Sequence, residues 1–176
     1  MKATVTRKTY YLMGLVAACC TMAGAFFALS GDPIAPLESV AFALTGLMFL
    51  FLAAVKGSPT REKQKYFLCF LVTLAANVLF PGLPTLNYIL MALPWPLFGW
   101  FELNRGNSVL RQLRLLAFGE ALAAVARVAV ALNVAGLGRS GWLYYAMEIL
   151  ACTARGWLAL TLYRQEDRRQ QEKGER

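Results

Sequence analysis

Residues 10–30 read YYLMGLVAACCTMAGAFFALS, a run without one charged side chain. The hydrocarbon core of a bilayer is about 30 Å thick and asks for roughly 20 mostly apolar residues per helix, so this run is long enough to cross it. Lys2, Arg7 and Lys8 precede it, which gives the start a likeness to a secretory signal. A signal core, however, is only about 7–15 residues long, and further apolar runs follow. The run is therefore read as a retained first transmembrane helix, with cleavage near Ala28 to Gly31 as the alternative.

Working outward, five more apolar runs cover about 37–55, 66–83, 86–101, 115–137 and 142–163. Gly31, Asp32, Pro33 and Pro36 break the chain before the second, and Lys56, Arg61, Lys63 and Lys65 form a basic loop after it. Pro84 and Thr85 mark a turn, Arg105, Arg111 and Arg114 a second basic loop, and Gly138 to Gly141 a short turn. The expected fold is an all-α membrane protein, a bundle of six transmembrane helices in one domain over residues 1–163. Residues 164–176 form a charged cytoplasmic tail, frayed beyond its first turn. The third and fourth runs are short or interrupted, by Pro81 and Gly82 and by Pro94 and Pro96. Two spans and a re-entrant hairpin both fit them; two spans are preferred, because each run reaches about 24 Å or more at 1.5 Å per residue. Asn77, Asn87, Pro94 and Pro96 are their polar or kink positions.

The chain is 58% hydrophobic with a net charge of +8. Its basic residues stand at the ends of apolar runs, not on one surface, and no nucleic-acid module is present. They set topology instead. With the amino terminus inside, Lys2, Arg7 and Lys8, the two basic loops and the five basic residues of the tail account for 15 of the 18. Only Arg139 falls outside, while Arg127 and Arg155 lie within helices. The positive-inside rule then places both termini in the cytoplasm of a multi-pass protein of the cell (inner) membrane. Tyr10, Tyr11, Tyr66, Trp142, Tyr144 and Tyr163 fall near the expected interfaces, where aromatic rings anchor helices.

Catalytic chemistry finds little support. Histidine is absent, which removes the commonest general base and transition-metal ligand. Cys19, Cys20, Cys69 and Cys152 all sit inside apolar runs and read as reduced thiols filling space. No metal or cofactor is implied, and no nucleophile-elbow, zinc-protease or phosphate-loop motif occurs. The remaining acid–base candidates are Glu102, Glu120 and Glu148, with Asp32 and Glu38 outside.

The most informative pattern lies in the last two runs. Glu120-Ala-Leu-Ala-Ala-Val-Ala-Arg127 and Glu148-Ile-Leu-Ala-Cys-Thr-Ala-Arg155 both read E-x-L-A-x-x-A-R. Seven residues are nearly two helical turns, so Glu and Arg share a face, with small Ala124 or Cys152 between them. Joined by a short turn, the two helices run antiparallel, which puts Glu120 level with Arg155 and Arg127 level with Glu148. A charge facing lipid costs about 2.5–3.5 kcal/mol at the bilayer centre on insertion scales, so the four are expected to pair. Two roles follow: ion pairs that register neighbouring helices, or a lining for a polar or zwitterionic solute site or a proton path.

Small residues at Gly14 and Ala18, and again at Gly24 and Ala28, suit close helix packing in the first run. Six helices in a chain of this size, with such a first helix, is similar to the substrate-binding subunits of energy-coupling-factor vitamin transporters. The resemblance is one of architecture and implies a helix-docking face at Gly14 and Ala18. The expected function is a polytopic membrane protein that binds or transports a small polar solute, as a carrier or as a membrane subunit of a larger transporter. The alternative is a non-catalytic structural or assembly subunit of a membrane complex, and the third choice a membrane enzyme acting on lipid. Membrane lipids, other membrane subunits and the solute are the partners these readings bring.

Overall fold

A computed structural model of the chain describes residues 7–31, 35–76, 84–132 and 141–174. The described residues form an all-α fold: α1 Arg7–Leu29, α2 Ala35–Ala54, α3 Thr60–Leu74, α4 Pro84–Met91, α5 Pro94–Asn104, α6 Leu110–Ala131 and α7 Gly141–Gly174. The turn positions Asp32, Pro33, Pro81, Gly82 and Arg139, the polar Asn77, and Lys2 lie outside the described residues, as does the side chain of Asn87 within α4.

Chain neighbours pack together around a ring: α1 on α2, α2 on α3, α3 on α5, α5 on α6 and α6 on α7. The ring closes because α7 also packs along α1. The two are antiparallel, since Lys8 meets Asp167 near one end while Ala18 lies against Gly156 further along. We call the end holding the start of α1 the base and the opposite end the mouth. Gly106, at φ +90°, turns the chain between α5 and α6 at the base, a left-handed conformation that costs glycine no Cβ clash.

Two elements differ from the expectation. The fourth run is not one helix but two, broken at residues 92–93 ahead of Pro94. Proline has no N–H to give and a fixed φ, so it starts α5 as easily as it would disrupt a continuous helix. The charged tail does not fray after Tyr163 either. α7 continues to Gly174, held by the Lys8–Asp167 pair, by Gln165 donating to the Ser108 carbonyl at 3.2 Å, and by Arg169 beside Glu166 at 3.9 Å.

α1 and α2 are each long and apolar enough to cross a membrane. Among the described residues no other helix meets both conditions: α3, α4 and α5 are short, and α6 and α7 carry several charges. Large apolar side chains nevertheless face outward while several charged ones are buried. Leu12, Phe27, Phe51, Leu68, Phe118 and Val125 point outward from four different helices, Val125 at 67% exposure, while Glu102, Glu120, Arg127, Glu148 and Arg155 are buried. Toward the base the interior is aromatic. Phe98 is its hub, with ring centroids 5.4 Å from Phe49, 5.9 Å from Trp95, 6.2 Å from Tyr66 and 6.3 Å from Tyr11.

Candidate functional site

The site is built on the seam between α6 and α7. A Cβ placed on Gly119 would come within 3.3 Å of the Ala151 Cα, so a hydrogen side chain is what allows the two backbones to approach there. The next residue along α6 is Glu120, and Cys152 follows Ala151 on α7. At this spacing Arg155 presents a fork to Glu120: Nη2 donates to Oε2 at 2.8 Å and Nε donates to Oε1. Two turns nearer the mouth, Arg127 Nη2 donates to Glu148 Oε2. The partners are 35 residues apart in the first pair and 21 in the second, which is antiparallel register.

A third contact joins the pairs. Arg155 Nη1 also donates to Glu148 Oε1 at 3.4 Å, and the Cys152 thiol bridges the same groups at 3.7 Å on each side. The four residues thus form one alternating chain, Glu120–Arg155–Glu148–Arg127, with exposures of 1–8%. Their charges cancel. Removing one member would strand another in an apolar interior, a situation that costs about 3–5 kcal/mol when a buried pair is broken.

The end of this chain is incomplete. Arg127 Nε and Nη1 are buried and have no hydrogen-bond partner among the described residues. They carry three N–H donors between them. The guanidinium carbon lies 5.5 Å from the centroid of the Tyr144 ring, a cation–π contact. Beside Arg127 opens a cavity of about 360 Å³, within the range of ligand-sized sites. Arg127, Glu148 and Arg155 form one wall, Trp95 and Tyr144 contribute rings, and Glu38 of α2 supplies a further carboxylate. Hydroxyls of Thr21, Ser39 and Thr45 line the opposite helices. The aromatic cluster around Phe98 fills the interior below Trp95, so the cavity faces the mouth.

The sequence-derived positions fall as follows. Glu120, Arg127, Glu148 and Arg155 come together. Pro94 is buried, is the first residue of α5 and lines the cavity; Pro96 stands two residues on, half-buried and away from it. Asn87 lies in α4, one helix removed. Trp95 and Glu38 were not singled out as cavity residues by sequence, and Tyr144 only as an interface ring. The one signal for the set is helical spacing from residues that were.

A second polar cluster occupies the base. Glu102, with no exposed surface, accepts hydrogen bonds from Tyr66 Oη at 2.6 Å, Tyr11 Oη at 3.1 Å and Asn107 Nδ2 at 2.6 Å. Arg105 lies 3.7 Å away, and Arg7 donates to Tyr66 Oη and to Glu62. One neutral acceptor, Asn107 Oδ1, is without a partner among the described residues. Tyr11 and Tyr66 are therefore not outward interface anchors, as their positions had suggested, but buried donors to a carboxylate.

The expected docking face is also taken. A Cβ on Gly14 would meet Met48 Sδ at 2.5 Å and Trp95 Cη2 at 3.1 Å, and Ala18 lies 3.8 Å from the Cβ position of Gly156. Both residues are buried against helices of this same chain, so they present no surface to another subunit. Compared with family models, curated proteins and solved structures, the chain matches none, and its reading rests on the geometry just described.

Proposed function

We propose that the chain is a multi-pass membrane protein that binds a small polar solute in the central cavity. The observation that carries this reading is a cavity of about 360 Å³, in the range of ligand-sized sites, lined by the charged side chains of Arg127, Glu148, Arg155 and Glu38. Buried charges beside such a space offer a polar solute partners that lipid-facing surface does not.

In this reading the protein spans the bilayer six times. α4 and α5 together make one interrupted span. The outward Leu, Phe and Val side chains then meet lipid. The basic residues of the base face the cytoplasm, so the cavity opens to the outer side. No nucleotide-binding segment is present, which fits a passive carrier or a binding subunit served by a partner.

The test is native mass spectrometry of full-length protein extracted from membranes. The expected result is a small polar adduct on the wild type that is absent from a folded Arg127→Met variant. A wild type that carries no adduct, and that no polar solute stabilises, overturns the reading in favour of a structural subunit.

A further inference from the structure

Near the base, the outer face of the α6–α7 pair carries positive charge that the described residues do not answer. Gln165 donates to the Ser108 carbonyl at 3.2 Å and Gln112 donates to the Thr161 hydroxyl at 3.3 Å, so the start of α6 lies along residues 157–165 of α7. On this face the Arg111 guanidinium carbon stands 5.7 Å from the centroid of the Trp157 ring, a cation–π contact. Arg164 and Arg168 follow Trp157 by seven and eleven residues, so they extend its stripe toward the base. Arg114 lies one turn from Arg111 on α6. All four arginines are exposed, and none makes an ion pair among the described residues. The carboxylates of this part of α7 are engaged elsewhere, Asp167 with Lys8 and Glu166 with Arg169; Glu172, a turn beyond Arg168, pairs with none of the four. α6 also has no acidic residue in its first turn, where one would offset the helix macrodipole. The start of α3 differs, because there Glu62 sits among the cations, beside Arg7 and Arg105.

Toward the mouth the same face turns apolar. Phe118, seven residues from Arg111 and so on its side of α6, is 59% exposed, and Trp157 is 38% exposed. We propose that this face seats an anionic phospholipid, with its phosphate on Arg111 and Arg164 and an acyl chain along Trp157 and Phe118. This inference rests on the membrane-spanning part of the reading above and needs nothing of the cavity. On that reading the base faces the cytoplasm, and basic pockets between helices on that side suit anionic head groups. A guanidinium offers two parallel hydrogen bonds to a phosphate and keeps its charge at any physiological pH. The Trp157 ring holds Arg111 in place before the lipid arrives. An acidic protein segment would also meet the arginines, but it would leave Phe118 uncovered. A phospholipid meets the charged and the apolar halves of the face with one molecule.

Full-length protein, stripped of lipid in a neutral detergent, is titrated with dioleoyl phosphatidylglycerol, with dioleoyl phosphatidylcholine and with a soluble polyglutamate peptide. Bound species are followed by native mass spectrometry. The expected result is saturable binding of phosphatidylglycerol, about tenfold tighter than phosphatidylcholine, and no binding of the peptide. The double variant Arg111→Gln/Arg164→Gln is expected to lose the preference. Lys56→Gln/Arg61→Gln removes the same charge from the basic loop after α2 and is expected to keep it. All four of these residues are exposed, so both variants keep the fold. No preference in the wild type, or equal loss of it in the two double variants, overturns the site and leaves the membrane-spanning reading standing. Binding of the peptide in place of the lipid overturns it in favour of an acidic protein partner. Release of the wild type from cell membranes by an alkaline wash overturns the membrane-spanning reading and this inference together.

Discussion

The molecule buries charge in two places and finishes only one of them. At the base, Glu102 receives three side-chain hydrogen bonds from three different segments, and its only leftover is a neutral amide oxygen. On the α6–α7 seam, four charges cancel yet leave a cation with unused donors beside a cavity. Buried polar groups are expensive unless satisfied. A satisfied network fastens helices, and an unsatisfied one marks where something else belongs. On the proposed reading, the contrast gives fastening to the base and recognition to the seam.

The largest effect should come from Arg155→Ala. Arg155 is the sole partner of Glu120 among the described residues and also supports Glu148. Its loss strands a buried carboxylate, so a destabilisation of about 3–5 kcal/mol is expected, read as collapse of folded yield and of the melting transition. A variant that melts like the wild type would show that the seam is not a structural chain at all. Glu102→Gln should cost less, about 2 kcal/mol, because charged hydrogen bonds become neutral ones and the amide can give an N–H to Asn107 Oδ1 once the latter turns over. Thermal unfolding should report that loss while solute affinity stays unchanged; a fall in affinity without a fall in stability would erase the division of labour. The smallest effect belongs to Lys8→Ala. Its partner Asp167 is partly exposed, and exposed pairs contribute little, so no measurable shift in melting is expected, and a large one would mean that the end of α7 is a third fastening point.

The seam was legible because its signal is local: one spacing, repeated, on two helices joined by a short turn. Periodicity gives the face, antiparallel direction gives the level, and lipid's exclusion of charge gives the pairing. The third contact, Arg155 to Glu148, lies within α7, where a spacing of seven puts both on one face but leaves the choice of side-chain rotamer open. The base cluster was hidden for a different reason. Its members come from α1, α3, α5 and the turn after α5, and no interval in the sequence connects Tyr11, Tyr66, Glu102 and Asn107. Tyrosine near a helix end reads as an interface anchor, and only packing shows that it points inward. The tail reads as disordered because it is dense in charge; it is helical in the structure, and its contacts to Lys8 and Ser108 come from parts of the chain that no local rule connects to it. The break before Pro94 was anticipated only as a bend, because proline fixes what its own residue cannot do and not where the preceding helix stops.

The length of α7 has a mechanical consequence. Its 34 residues make a rod of about 50 Å at 1.5 Å per residue, longer than a bilayer is thick. Tyr144, Glu148 and Arg155 sit on the part of that rod toward the mouth, and Asp167 and Arg169 on the part toward the base. No proline or break divides them, so the two parts share one rigid axis. A rotation of the cavity wall about that axis would turn the basal end with it, where a spin label or a fluorophore can follow it without touching the site.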